Sequence, residues 1–208
     1  MREGREWLRA SCPNGIRSLE VCETEPNGEV ALSFEKVCFR YERALPDTLA
    51  SLDLEVRTGE IFCILGGNGS GKTTSLSVAA GLLKIYAGQI KIFGKKISAY
   101  QNGSLYKNCL SLLPQDVQTV FSKNTVKEEL DEVNVDPATL PFDVNYLLGT
   151  HPYDLSGGEM QLVALAKVLA AKPRILLMDE PTKGLDAIKK ANILKILQNA
   201  YGNVANRI

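Results

Sequence analysis

The 208-residue sequence lacks any apolar run that approaches the ~20 residues needed to cross a bilayer as a helix. Its first residues are rich in Arg and Glu, and they lack the apolar core of a signal peptide. We therefore expect a soluble chain, which would reach a membrane only through a partner protein.

Histidine and paired cysteines are also scarce. With one histidine, His151, and no close pair of cysteines, the chain offers no ligand set for a structural zinc ion. We interpret the cysteines, of which Cys38 and Cys63 lie in strand-like runs, as buried free thiols in a reducing compartment. The five are odd in number and scattered: Cys12, Cys22, Cys38, Cys63 and Cys109.

An excess of one charge is missing as well, since Lys plus Arg and Asp plus Glu both number 24. Proteins that mainly hold nucleic acid carry a one-sided charge, so we expect no nucleic-acid partner, although local basic patches remain compatible with this balance. With 45% apolar side chains, the chain is long enough for one α/β domain with a substantial core. A second complete domain does not fit.

What the sequence does contain is a glycine-rich phosphate-binding loop pattern at residues 66–74. The apolar run 61–65 before it predicts a buried strand, and residues 75–83 after it predict a helix. Strand, loop and helix in this order are the context that the pattern requires. The alternative is a flexible Gly/Ser connection. The loop reads Gly66, Gly67, Asn68, Gly69, Ser70, Gly71, Lys72, Thr73 and Thr74.

Each residue type in the loop suits a triphosphate. Glycines let successive backbone N–H groups converge on phosphate oxygens, and the helix N-terminus adds its partial positive charge. Lys72 would reach the β and γ phosphates, and Thr73 would offer its hydroxyl to Mg²⁺.

The rest of the chain divides into segments of different character. Residues 1–29 carry turn chemistry with little periodicity, so we interpret them as a linker or a remnant of an upstream domain. Alternating runs predict strands at about 30–41, with an irregularity, and at 49–56. Short strands are further predicted at 89–93, after Gly88, and at the apolar run 110–113. Residues 116–154 read as a small helical insert, in which Thr125 caps a turn at 126–130 and Pro137 and Pro141 interrupt the residues beyond that turn.

A second signal is the segment from Leu155 to Glu159. Ser156 and Glu159 are spaced as a capping box, which predicts a helix from there to about Lys172. By itself this is only a capped helix. Gly157 and Gly158 inside the cap are unusual, because each glycine costs roughly 1 kcal/mol against Ala in a helix. They suit a place where something approaches the backbone closely.

A third signal is the apolar run 175–178, followed by Asp179, Glu180 and Pro181. Its uniform apolar character predicts a central strand of a parallel sheet. Asp179 would then bind Mg²⁺ directly or through water, and Glu180 would deprotonate the attacking water. The alternative is that the two acids are surface charges.

Together these segments resemble the nucleotide-binding subunit of ATP-binding cassette (ABC) transporters, from about Val30 onward. Residues 66–73 look like Walker A, Gln115 like the Q-loop glutamine, 155–159 like the family signature, 175–180 like Walker B, and 184–186 like the D-loop. The resemblance implies a P-loop NTPase (RecA-like) α/β fold: a parallel sheet with an antiparallel β subdomain and a small helical insert. It also places Tyr41 against adenine, where the alternative is a surface tyrosine.

Within the family, the sequence is most similar to the ATPases of energy-coupling factor (ECF) transporters, which take up vitamins and transition-metal ions. That similarity implies a peripheral protein at the cytoplasmic face of the membrane, attached to a transmembrane coupling subunit. The segments that carry it are Pro114-Gln115-Asp116, Thr119-Val120-Phe121, Thr125-Val126-Lys127-Glu128-Glu129-Leu130 and His151-Pro152-Tyr153-Asp154.

The resemblance further implies a head-to-tail dimer with an identical or related ATPase subunit. Each ATP would lie between one Walker A loop and the partner's signature, where Ser156, Gly157 and Gly158 would bind the γ-phosphate. ATP and Mg²⁺ are the implied cofactors, with Thr73, Gln115 and Asp179 as the metal residues. Gln115 and Glu180 are the implied catalytic residues.

The sequence departs from the family at several positions. Gly67 replaces a common proline, and Leu162 stands where an arginine is usual, which we expect to weaken a polar contact. The family's switch histidine and the strand that leads to it have no counterpart, so we expect a fragment or a fused or split gene product. Two alternatives stay open: a soluble ABC ATPase of the translation or DNA-repair type, and a half that binds ATP without efficient turnover.

Overall fold

The computed structural model of the protein describes residues 28–107, 109–140, 142–183 and 185–201. Its strands are β1 (Val30–Phe39), β2 (Leu49–Arg57), β3 (Ala87–Ile92), β4 (Lys95–Lys96), β5 (Leu110–Leu113) and β6 (Ile175–Met178). Its α-helices are α1 (Lys72–Ala79), α2 (Val126–Glu132), α3 (Gly157–Ala170) and α4 (Ala187–Tyr201). Most of residues 1–29, Cys12 and Cys22 among them, lie outside the described residues, as do Pro141 and Gly184.

Four strands form an antiparallel sheet in the order β2-β1-β3-β4. The pairing of β1 with β2 shifts between Phe34 and Val37, and Lys36 between them has a φ of 50°. The irregularity predicted for the first strand is therefore confirmed as a bulge in a continuous strand. The inward positions of this sheet pack with the end of α1 in one apolar cluster, which includes Phe34, Val37, Ile90, Ile92, Val78 and Ala79.

A second, parallel sheet consists of β5 and β6, with Leu110 opposite Ile175 and Leu113 opposite Met178. The predicted parallel strand at 175–178 is confirmed. Its predicted central position is wrong for the part of the chain that the structure describes, because β6 pairs there with β5 alone. Leu177 is buried and belongs to the same apolar cluster as Phe34, so the two sheets share one core.

The run at residues 61–65 differs most from expectation. It forms no strand, and its apolar side chains are exposed: Leu65 by 90%, Phe62 by 45% and Ile61 by 43%. Cys63, predicted to be buried, is exposed too. The prediction was wrong because a β-prone run becomes a buried strand only when neighbouring strands pair with its backbone, and no described strand does so here.

Between β5 and α3 the chain forms α2 and short 3₁₀ helices, among them Val117–Val120 and Asn145–Leu147. Thr125 caps the start of α2, as the sequence predicted, and Glu128 completes a capping box with it. This region packs with the buried face of α3 in a second apolar cluster, which includes Phe121, Val126, Leu130, Leu147, Val163 and Leu165. Among the described residues, no helix is both long and apolar enough to serve as a membrane span.

Candidate nucleotide-binding site

The loop at residues 66–74 leads directly into α1. Gly71 caps the helix with a φ of 90°, a left-handed conformation that L side chains rarely adopt. A Cβ at Gly71 would also lie 3.1 Å from the carbonyl oxygen of Thr48, the residue just before β2. Glycine is therefore required there by backbone conformation and by the close approach of a neighbouring chain segment.

Lys72 folds back over this loop. Its Nζ donates hydrogen bonds to the carbonyl oxygens of Gly66 and Gly67, both at 2.9 Å. The ammonium group thus lies on the concave side of the loop, held by neutral carbonyls. Phosphate oxygens are stronger acceptors for a lysine than carbonyls are. Lys72 can therefore exchange these bonds for an incoming phosphate.

A cavity of about 560 Å³ opens beside the loop. Thr73, Gln115 and Asp179 all line it, although they come from α1, the end of β5 and the end of β6. Asp179 is only 5% exposed, and its carboxylate has no hydrogen-bond or cationic partner among the described residues. Thr73, Gln115 and Asp179 all carry the oxygen ligands that a divalent cation such as Mg²⁺ prefers, so the lining of the cavity fits such an ion.

Glu180 follows Asp179 and has a φ of 48°, a conformation uncommon for a residue with a side chain. Its Oε2 lies 2.7 Å from Lys183 Nζ. The hydrogen bond from Lys183 lowers the pKa of the Glu180 carboxyl below its ordinary value, and the charge of Lys72 adds to this. Glu180 is therefore ionised at neutral pH, close enough to Lys72 to feel its charge.

The signature segment forms the predicted capping box. Ser156 Oγ accepts from the Glu159 N–H at 3.4 Å, and Glu159 Oε2 accepts from the Ser156 N–H at 2.9 Å. These bonds lower the pKa of the Glu159 carboxyl. Gly157 is exposed, whereas Gly158 is covered by the side chain of Lys189 from α4. Ser156, Gly157 and Gly158 do not line the cavity of Thr73 and Asp179.

Tyr41, two residues beyond β1, is 58% exposed. Its hydroxyl pairs with Thr74 Oγ1 at 3.0 Å, and its ring packs edge-on against Phe39. The ring therefore lies beside the phosphate loop, with an exposed surface available to a planar group. Leu162, which replaces a polar family residue, is buried in the second apolar cluster.

Sequence reasoning missed two lysines at these sites. Lys183 could have been noticed from its spacing, three residues after Glu180 on the turn that follows β6. Lys189 could not, because it lies 33 residues from Ser156 in the chain and only the packing of α4 against α3 brings them together.

Comparison with known proteins identifies the family of this chain. The family model described as ABC transporter matches residues 49–183. The chain belongs to the ABC transporter family. The family predicted from the sequence motifs is thereby confirmed.

Relatives of this ABC protein carry compatible descriptions. A putative ABC transporter ATP-binding protein of Clostridium tetani is 34% identical over 95% of this chain and 46% of its own length. Energy-coupling factor transporter ATP-binding proteins of Mycoplasma genitalium and Malacoplasma penetrans are 35% and 33% identical, over 83% and 87% of this chain and 66% and 67% of their own. The chain thus spans about half to two thirds of these relatives.

Solved structures agree on the fold. A bacterial Atm1-family ABC exporter with ATP bound matches 97% of this chain and 39% of its own, at 25% identity and a TM-score of 0.65. A component of an ABC transporter complex from Clostridium perfringens matches 85% of this chain and 75% of its own, at 24% identity and a TM-score of 0.66. The predicted fold class, a P-loop NTPase with an antiparallel β subdomain, is confirmed.

Proposed function

We propose that this chain is the ATP-binding and ATP-hydrolysing subunit of an ABC transporter of the ECF type, which imports a vitamin or a transition-metal ion. The observation that carries the proposal is the convergence of Thr73, Gln115 and Asp179 on one cavity beside the phosphate loop. The ECF-type relatives at 33–35% identity support the choice of transporter type.

Mg²⁺ would be held by Thr73, Asp179 and Gln115, all of which offer oxygen ligands. The position of Asp179 in the lining of the cavity, with no ion pair to its carboxylate among the described residues, supports this assignment. When bound, Mg²⁺ neutralises charge on the β and γ phosphates of ATP. Tyr41 would stack on adenine, and the backbone N–H groups of residues 66–74 would surround the phosphates.

Different residues of the chain would then bind phosphate and activate the attacking water. Lys72 leaves the Gly66 and Gly67 carbonyls to bind phosphate oxygens. Glu180, whose pKa Lys183 and Lys72 lower further below its ordinary value, accepts a proton from the attacking water. Gln115 orients that water. Glu180, which has a positive φ, lies two residues beyond the end of β6.

A second ATPase subunit, identical or related, would complete each site. Ser156, Gly157 and Gly158 do not line the cavity of their own chain, which supports a role toward a partner's γ-phosphate. We further propose that residues 30–208 are the ABC domain, that its insert 116–154 docks on a transmembrane coupling subunit, and that the protein lies at the cytoplasmic face of the membrane.

The test is phosphate release from ATP by the purified chain and its Glu180→Gln variant. We expect the variant to lose roughly 10²–10⁴-fold in rate, as for removal of a general base. Asp131→Asn is the matched control, because Asp131 is an exposed acid on α2 and does not line the cavity. Equal phosphate release from wild type and Glu180→Gln would contradict hydrolysis at this site.

A second candidate is a chain that binds ATP without efficient turnover. It is favoured by the exposed run 61–65, which leaves the phosphate loop without a paired strand among the described residues. This candidate predicts that a fluorescent ATP analogue binds wild type, that Lys72→Ala abolishes the binding, and that neither protein releases phosphate.

A further inference from the structure

We propose that Lys189 is a phosphate-contacting residue of the signature segment, which binds the γ-phosphate of ATP held by the second subunit. The inference rests on the proposed two-subunit site and adds to it a residue from a different helix. Lys189 belongs to the first turn of α4, where its backbone N–H donates to Asp186 Oδ1 at 2.8 Å. Its side chain reaches across to the start of α3.

The contacts of Lys189 place its ammonium group at the signature. Nζ lies 3.4 Å from Ser156 Oγ, the hydroxyl proposed to bind phosphate. A Cβ added to Gly158 would lie 2.6 Å from the same Nζ. The side chain of Lys189 crosses the start of α3 directly over Gly158. Any side chain at residue 158 would collide with it, so the glycine is what allows Lys189 to reach Ser156.

The charges at this position leave room for an anion. The N-terminus of α3 carries partial positive charge, and the ammonium group of Lys189 adds a full one beside it. No carboxylate oxygen of the described residues lies within 4.0 Å of this ammonium group. Glu159, the nearby acid, feels the charge of Lys189, which contributes to its lowered pKa. Its carboxylate oxygens accept instead from the Ser156 N–H and from the Tyr146 hydroxyl at 3.0 Å.

A γ-phosphate would supply the negative charge that these donors lack. Its oxygens could accept from Ser156 Oγ, from the N–H groups at the helix start and from Lys189 Nζ, which together match a dense negative charge. Two other roles predict different behaviour. If Lys189 only covers Gly158, its charge has no effect on ATP, and if it blocks the site, its removal strengthens ATP-dependent association.

The test measures ATP-driven dimerisation by light scattering in the Glu180→Gln background, where ATP is not consumed. We expect Lys189→Met to raise the ATP concentration for half-maximal dimerisation by about tenfold or more, as for loss of one charge-assisted hydrogen bond. Lys189→Arg should retain most of the association. Lys190→Met is the matched control, because Lys190 is the next residue of α4 and is exposed.

Binding of a fluorescent ATP analogue to the monomer should be unchanged in Lys189→Met, because Lys72 and the phosphate loop are intact. Its thermal unfolding should match that of Lys190→Met, and Lys189→Gln provides a second neutral variant if Lys189→Met unfolds. Unchanged or tighter dimerisation of the neutral variants would overturn the inference. Failure of Glu180→Gln itself to dimerise, with analogue binding intact, would overturn the two-subunit site and the role of Lys189 with it.

Discussion

Lys183 holds the carboxylate of Glu180 in its ionised form through a 2.7 Å ion pair. Replacing Lys183 by Met removes the main cause of the lowered pKa, so the pKa of Glu180 rises toward its ordinary value of 4.5. At a given acidic pH less of Glu180 is then ionised. We expect the acidic limb of the pH dependence of kcat for ATP hydrolysis to move to higher pH in Lys183→Met.

The measurement is kcat at saturating ATP from acidic to neutral pH. Lys190→Met serves again as a lysine-to-methionine control, since Lys190 is exposed and makes no contact with Glu180. Superimposable acidic limbs for wild type and Lys183→Met would show that Lys183 does not control the ionisation of Glu180.

At the residue scale, sequence reasoning succeeds where the chemistry is local. The helix caps at Thr125 and Ser156 were predictable because cap and partner are three residues apart. Asp179 was placed at the end of a strand by its apolar neighbours. The contact of Lys189 with Ser156 was not predictable, because it depends on how two helices pack.

Among the elements, α2 and α3 are joined by a buried ion pair. Glu129 is fully buried, and its carboxylate accepts from the backbone N–H groups of Ser122 and Lys123 and from Lys167 Nζ. Lys167 Nζ also donates to the Val120 carbonyl at 3.1 Å. The pair therefore fixes the segment that follows Gln115 to both helices.

In Glu129→Ala, Lys167 keeps Glu132 and the Val120 carbonyl as partners, but the backbone N–H groups of Ser122 and Lys123 lose their acceptor. We expect the free energy of unfolding to fall by about 2–6 kcal/mol, at about 1–3 kcal/mol for each unsatisfied N–H group. The neighbouring Glu128→Ala loses the exposed hydrogen bonds that its carboxylate accepts from the Asn124 and Thr125 N–H groups, at a cost of about 1 kcal/mol. Urea unfolding of both variants makes the comparison. Similar losses for the two would show that the Glu129 carboxylate is not buried in solution.

Glu132 extends this network toward solvent, 2.8 Å from Lys123 Nζ and 2.9 Å from Lys167 Nζ. Hydrogen bonds from Lys123 and then Lys167 lower its pKa from 4.5 to about 2. A carboxyl with a lowered pKa in the folded state stabilises the fold above its unfolded pKa and loses that contribution as pH falls. The window is therefore from 4.5 down to about 2.

In this window we expect the Tm of wild type to fall more steeply with decreasing pH than that of Glu132→Gln. Thermal unfolding followed by circular dichroism across the window measures the difference. Asp131→Asn is the control, because Asp131 is an exposed neighbour on the same helix and has no ion-pair partner among the described residues. Parallel Tm curves for wild type and Glu132→Gln would contradict the lowered pKa.

The sequence predicted strands correctly where another strand pairs with the run. The runs at 49–56 and 110–113 became β2 and β5 because β1 and β6 pair with them. The run 61–65 has an equally β-prone composition, and its failure to form a strand shows that pairing, which a local pattern does not encode, decides the outcome.

In the whole molecule, one core connects the two sheets through α1. Leu177 of the parallel sheet and Phe34 of the antiparallel sheet belong to the same buried cluster as Val78 of α1. The phosphate loop therefore enters a helix fixed from both sides, even though the residues before the loop are exposed. The rigid support for Thr73 comes from α1 and not from the run 61–65.

The contribution of the run 61–65 to stability can be compared with that of a fully buried leucine. Leu65 is 90% exposed and Leu113 is 0% exposed. We expect Leu113→Ala to cost about 2–5 kcal/mol of unfolding free energy, as for a buried leucine, whereas Leu65→Ser should change it by no more than about 0.5 kcal/mol. Urea unfolding of both variants, with analogue binding as a check on the phosphate loop, gives the comparison. Because an exposed leucine has no packing to lose, a Leu65→Ser cost comparable to that of Leu113→Ala would mean that the run 61–65 is packed in solution and supports the loop directly.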